Sequence, residues 1–204
     1  YCPPYTLIGS FSKKFQNCQI GLGAQNCHES ETDGPFTGFV NARMLKNAGA
    51  QFVIIGHSEN REKGESDKLI NLKIKSAINS KLKVIFCIGE TLSEKRKKKT
   101  KSILSKQIKI GLSKIKNKSN IFIAYEPVWA IGSGSIPKSN DLYKTVGYIK
   151  SKFKTKSPRV LYGGSVNPKN INSLKEVSNI DGFLIGGASQ NANKFIDIVK
   201  KTYS

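Results

Sequence analysis

Acidic side chains are scarce in this sequence. Asp and Glu number 14 against 34 Lys and Arg, a formal net charge of +20 at pH 7. A basic excess attracts nucleic acids and acidic surfaces. Here the surplus, nearly all lysine, is spread along every helix-like segment, without interleaved aromatics or a recognised nucleic-acid motif. It reads as a solvated coat, so no specific nucleic-acid partner is expected. A binder built on charge alone would show a steep salt dependence. The dense cluster at 95–101 reads as an exposed helix turn. Long apolar runs are missing as well: none approaches the roughly twenty residues of a membrane-spanning helix. No basic segment followed by an apolar one stands at the start, so no signal peptide is expected. Histidine is limited to His28 and His57, and Cys2, Cys18, Cys27 and Cys87 show no C-x-x-C spacing. A metal site is therefore not expected, and reduced thiols of a cytoplasmic protein are the simple reading. Asn117-Lys118-Ser119 is a chance glycosylation match.

What is present is a regular alternation. Apolar runs at 20–24, 52–55, 84–88, 121–125, 160–162 and 182–185 are continuous, as in strands buried on both faces. Helix-like stretches lie between and after them, at 38–48, 67–80, 92–116, 140–153, 168–177 and 192–202. In the fourth, Leu142, Val146 and Ile149 share a face; Asn140 is placed to cap it, and Ser66 to cap the second. Strand and helix in turn mean a parallel sheet wrapped by helices. An open doubly wound sheet and a (β/α) barrel both fit. No linker or composition break appears, so residues 1–204 read as one domain. In either architecture, function sits at the C-terminal ends of the strands.

Those ends carry chemistry. The strand at 121–125 stops at Glu126, Pro127 fixes the backbone after it, and Gly132 and Gly134 let the next loop bend. The strand at 52–55 ends Gly56-His57-Ser58-Glu59, and the one at 84–88 ends Gly89-Glu90. The last two end in Gly163-Gly164-Ser165 and Gly186-Gly187-Ala188-Ser189, glycine-rich turns ahead of helix-like segments that expose N–H groups to an anion. An acid that moves a proton, an imidazole that polarises a carbonyl and a phosphate cradle suggest proton transfer on a phosphorylated carbonyl compound.

Seven motifs carry a resemblance. They are GAQNC (23–27), FTG (36–38), IIGHSE (54–59), CIGETL (87–92), AYEPVWAIGSG (124–134), LYGGSVN (161–167) and GFLIGGAS (182–189). In this order the chain resembles the triosephosphate isomerase family over essentially its whole length. The resemblance implies a TIM (β/α) barrel, no cofactor, and interconversion of dihydroxyacetone phosphate and glyceraldehyde 3-phosphate, a step of glycolysis and gluconeogenesis. It implies Glu126 as the base and His57 as the neutral electrophile, roles for which this family is a standing example. Ser58 and Glu59 would support the imidazole, while Gly132, Ser165, Gly186 and Gly187 would contact the substrate phosphate. The loop from Pro127 to about Pro137 would be the lid.

Departures from the family pattern set further expectations. The family opens with a strand carrying Asn-x-Lys; here no such strand is found, and Tyr1-Cys2-Pro3-Pro4 matches the end of the second strand. The expected fold is thus an α/β, incomplete TIM barrel of about six full parallel strands, truncated and open where strands 1 and 2 would be. Turnover is expected to be weak or absent without that lysine. The alternative is a non-catalytic phosphate- or anion-binding remnant of the same fold. Phe39 and Asn60 stand where the family has a glutamate and an arginine of its subunit interface. The expectation is accordingly a monomer, or an association unlike the familial dimer.

Overall fold

The continuous apolar runs become strands because their side chains are buried on both faces of a parallel sheet. The computed structural model describes residues 1–153 and 157–204. Among them the strands are β1 (Gly23–Ala24), β2 (Phe52–Ile55), β3 (Lys83–Ile88), β4 (Ile121–Tyr125), β5 (Val160–Tyr162) and β6 (Gly182–Phe183), ordered in the sheet as in the chain. β1 pairs parallel with β2 and β2 with β3, in the register Val53↔Val84. β4 pairs parallel with β5 and β5 with β6, in the register Tyr125↔Tyr162↔Phe183. The helices are α1 (Ile8–Lys14), α2 (Ala42–Asn47), α3 (Ser58–Glu62), α4 (Asp67–Asn79), α5 (Leu92–Arg96), α6 (Thr100–Gly111), α7 (Ser139–Lys150), α8 (Ile171–Lys175) and α9 (Ala192–Tyr203). No helix among the described residues is long and apolar enough to cross a membrane.

The chain divides into two compact units, Tyr1–Cys87 with Gln107–Phe122, and Ile88–Lys106 with Ile123–Ser204. In the first, Ser66 caps α4 by accepting from Leu69 N, and Ile70, Ile74 and Ala77 are wholly buried at helical spacing. Burying each such isoleucine contributes about 2 kcal/mol. α6 approaches Phe86 so closely that a Cβ on Gly111 would lie 2.5 Å from the ring. The amide of Asn71 donates to Gly111 O and Ser113 O, tying α4 to the end of α6. Tyr1 runs alongside β1: its N-terminus donates to Gly21 O at 2.6 Å, and Gly23 N donates to Tyr1 O at 2.8 Å. In the second unit, Leu142, Val146 and Ile149 form the buried stripe of α7 that their spacing predicts.

Several elements differ from the sequence-based expectation. The helix expected over 92–116 is two helices. Thr91 and Glu94 form a capping box on α5, which ends at Arg96, and Lys98 turns left-handed at φ 56° before α6 begins. Like charges four residues apart, Lys95/Lys99 and Lys97/Lys101, would repel along a continuous helix and favour such a break. α1 and α3, with a 3-10 turn at Tyr5–Leu7, add helical structure where none was expected. α7 starts one residue early, at Ser139, so Asn140 is not its cap. The expected strands at 20–24 and 182–185 shrink to two residues each, since an outer strand has fewer ladder partners to hold it.

Candidate active site

β4 delivers its last strand residue, Tyr125, directly into Glu126. That carboxylate-bearing residue is only 2% exposed. Glu126 N donates to Ile88 O at 2.8 Å, and Gly163 N donates to Tyr125 O at 2.9 Å. The surrounding backbone comes so close that glycine is required. A Cβ on Gly163 would lie 2.7 Å from Glu126 Cγ, and one on Gly89 only 1.7 Å from the Glu126 carbonyl oxygen. The two glycines that follow neighbouring strands thus let a buried acid sit between them.

Pro127 leads into a 3-10 turn, Val128–Ala130, that opens the expected lid. Trp129 in this turn donates from Nε1 to Glu90 Oε1 at 3.0 Å, and the Tyr125 hydroxyl donates to both Glu90 oxygens at 3.2 Å. The Lys95 ammonium lies 3.2 Å from the centroid of the Trp129 ring. Glu90 is 1% exposed. Burial pushes its carboxyl above the usual glutamate value, against the hydrogen bonds from Trp129 and Tyr125 and the charge of Lys95. Burial first, and then the Glu90 charge, push the Tyr125 phenol far above its ordinary value. In the sequence Glu90 reads only as an acid at a strand end, and neither Tyr125 nor Trp129 stands out as functional. The signal available was a strand ending in Gly-Glu beside the chain's one tryptophan.

Beyond that turn, Gly132 and Gly134 adopt φ of 66° and 75°. A Cβ at either would meet nothing within 4 Å, so backbone conformation and not space demands glycine there. Gly134 N donates to Ser165 Oγ at 3.1 Å, joining the loop to one of the expected phosphate contacts. Ser165 O in turn accepts from the Asn170 amide. Gly186 and Gly187 are exposed, and Gly187 opens a 3-10 turn in which Ser189 N donates to Gly186 O. The Tyr162 hydroxyl is buried without a partner among the described residues, packed where a Cβ on Gly164 would fall 2.2 Å from it.

His57, in the first unit, caps α3. Gly56 before it adopts φ 77° and redirects the chain from β2. Glu59 N donates to His57 Nδ1 at 3.3 Å. An N–H aimed at Nδ1 needs a lone pair there, which leaves Nε2 as the ring nitrogen to carry a proton. Ser58 is buried, whereas the Glu59 side chain is 77% exposed and 4.0 Å from Nδ1. Arg61, not singled out in the sequence, braces the turn. It donates to Gly56 O at 2.7 Å, to Cys87 O at 3.1 Å and to Asp67 at 2.7 Å. No cluster of three or more His, Cys, Asp or Glu fit to hold a metal occurs among the described residues.

Compared with known proteins, residues 1–202 match the family model for triosephosphate isomerase. The chain belongs to the triosephosphate isomerase family. It is similar to the triosephosphate isomerase of Thermodesulfovibrio yellowstonii, 43% identical over 97% of this chain and 83% of that one. The Prosthecochloris aestuarii triosephosphate isomerase is 46% identical over 97% of this chain and 81% of its own. The crystal structure of triosephosphate isomerase from Bartonella henselae superposes with a TM-score of 0.91 at 38% identity, over all of this chain and 86% of that one. Among the described residues the fold is therefore an incomplete TIM barrel of six parallel strands, as expected. By family the chain is an isomerase, and triosephosphate isomerases act on phosphorylated trioses.

Proposed function

We propose that this chain interconverts dihydroxyacetone phosphate and glyceraldehyde 3-phosphate. Glu126 moves the proton between adjacent carbons, and His57 polarises the carbonyl through Nε2–H. Gly132, Ser165, Gly186 and Gly187 take the phosphate; Ser58 and Glu59 orient the imidazole from the first turn of α3. The observation that supports this most directly is Glu126: a carboxylate-bearing residue at a strand end, 2% exposed and walled by glycines, next to a loop tied to Ser165. The four cysteines, none in a disulfide among the described residues, fit a reducing cytoplasm. A coupled isomerase assay tests the reading. Glu126→Asp and His57→Gln should each lower kcat by about a hundredfold or more, the usual worth of a positioned acid–base group. Unchanged activity in either variant removes that residue from its role.

The described strands carry no Asn-x-Lys. A polypeptide of these residues alone should turn over slowly, since losing a buried cation opposite a dianion costs on the order of 3–5 kcal/mol, a few hundred- to several thousand-fold. Calorimetry with a phosphate-bearing transition-state mimic separates slow catalysis from a non-catalytic anion-binding remnant, which would bind the mimic and show no turnover.

A further inference from the structure

Six of the seven positions 95–101 are Lys or Arg, and no acid occurs from Lys95 through Tyr125. The break after α5 gathers these cations at the start of α6, whose first turn holds no acid. Tyr148 on α7 lies against one of them, Lys101. The Lys101 ammonium is 5.4 Å from the centroid of its ring, and the Lys152 ammonium, just beyond α7, is 4.2 Å from it. Among the described residues, neither ammonium is paired with a carboxylate. Hydrogen bonding from Lys152 above all lowers the Tyr148 phenol below its usual range, helped by Ser105 and by the charges of Lys152 and Lys101, while slight burial opposes this. All four residues belong to the second compact unit.

Two ammonium groups sharing one phenol, without an acid, repel each other and leave a local charge of two to be balanced. A phosphoryl dianion carries the matching charge, and its oxygens accept hydrogen bonds from ammonium and hydroxyl groups alike. We propose that Lys101, Tyr148 and Lys152 form a binding site for a dianionic phosphoryl group, either inorganic phosphate or a small phosphomonoester. None of the three is used by the isomerase chemistry proposed above, so the site stands whether or not that chemistry is correct.

Spectrophotometric titration of tyrosine ionisation tests it, with the Tyr148 signal taken as the difference from Tyr148→Phe. Inorganic phosphate and methyl phosphate, added separately at matched ionic strength, should move Tyr148 ionisation about one pH unit upward, because a bound dianion cancels the ammonium charges. A response to both means the site reads the phosphoryl group; a response to one alone names the source. Lys101→Gln/Lys152→Gln should weaken the response about tenfold or more while isomerase turnover stays unchanged. Lys68→Gln/Lys109→Gln, which removes the same charge from exposed positions elsewhere, and Ser165→Ala should both keep it. The proposal is overturned if neither ligand moves the titration. It is equally overturned if the response survives in Lys101→Gln/Lys152→Gln, or is lost in either control.

Discussion

At the scale of single residues, two buried acids have different tasks. Glu126 is the proposed base; Glu90 anchors the turn that follows it. The Glu90 carboxyl is raised by burial, so the folded state holds its proton more tightly than the unfolded chain does. Its contribution to stability is therefore full below the ordinary glutamate value and is lost as pH rises from about 4.3 through the raised value. Glu90→Gln removes this loss. Denaturant unfolding between about pH 4 and pH 8 should show the variant gaining on the parent as pH increases. Trp129→Phe deprives Glu90 of a donor and should cost about 1–3 kcal/mol, the penalty for weakening a buried polar pairing, read in the same experiment. Gly163→Ala would force a Cβ against the Glu126 side chain. It should lower kcat more than it lowers stability, a split that assay and unfolding together reveal. Gly89→Ala would instead drive a Cβ into the Glu126 backbone and should impair folding outright.

At the scale of elements, the break between α5 and α6 depends on one lysine in an unfavourable conformation. Lys98 holds φ 56° where glycine is the usual choice. Lys98→Gly should stabilise the protein by about 1 kcal/mol, seen as a higher Tm, since a left-handed Cβ costs roughly 1–2 kcal/mol. The loop before α2 offers a second test. Phe36 and Phe39 flank the His28 ring at 4.7 and 4.8 Å, and Phe39 remains 62% exposed. The family resemblance implies two interface charges at the positions that Phe39 and Asn60 occupy. We infer that the familial dimer is not retained. Sedimentation velocity should find a monomer, or an association that Phe39→Glu disperses; a dimer insensitive to Phe39→Glu ends the inference.

At the scale of the whole molecule, the chain crosses between its two compact units inside regular elements, at Cys87/Ile88 within β3, at Lys106/Gln107 within α6 and at Phe122/Ile123 within β4. Unfolding either unit alone would cut into elements that continue into the other. We therefore propose one folding domain, and expect circular dichroism and Trp129 fluorescence to report a single coincident transition. Two separated transitions would divide it.

The sequence alone determined the six-strand alternation, the stripe of α7 and the Ser66 cap. Each is set by spacing or by a single side chain within a few residues. It also carried the family motifs and, through Glu126 and His57, the candidate chemistry. Only the tertiary structure decided which glycines make room for Glu126, that Trp129 and Tyr125 converge on Glu90, that Arg61 braces the His57 turn, and that Lys101 and Lys152 each approach the Tyr148 ring. Those pairs lie up to tens of residues apart in the chain, and periodicity is silent on contacts that packing brings about. The two-residue lengths of β1 and β6 were likewise illegible, because a strand ends where its hydrogen-bonding neighbours end, not where its apolar residues do.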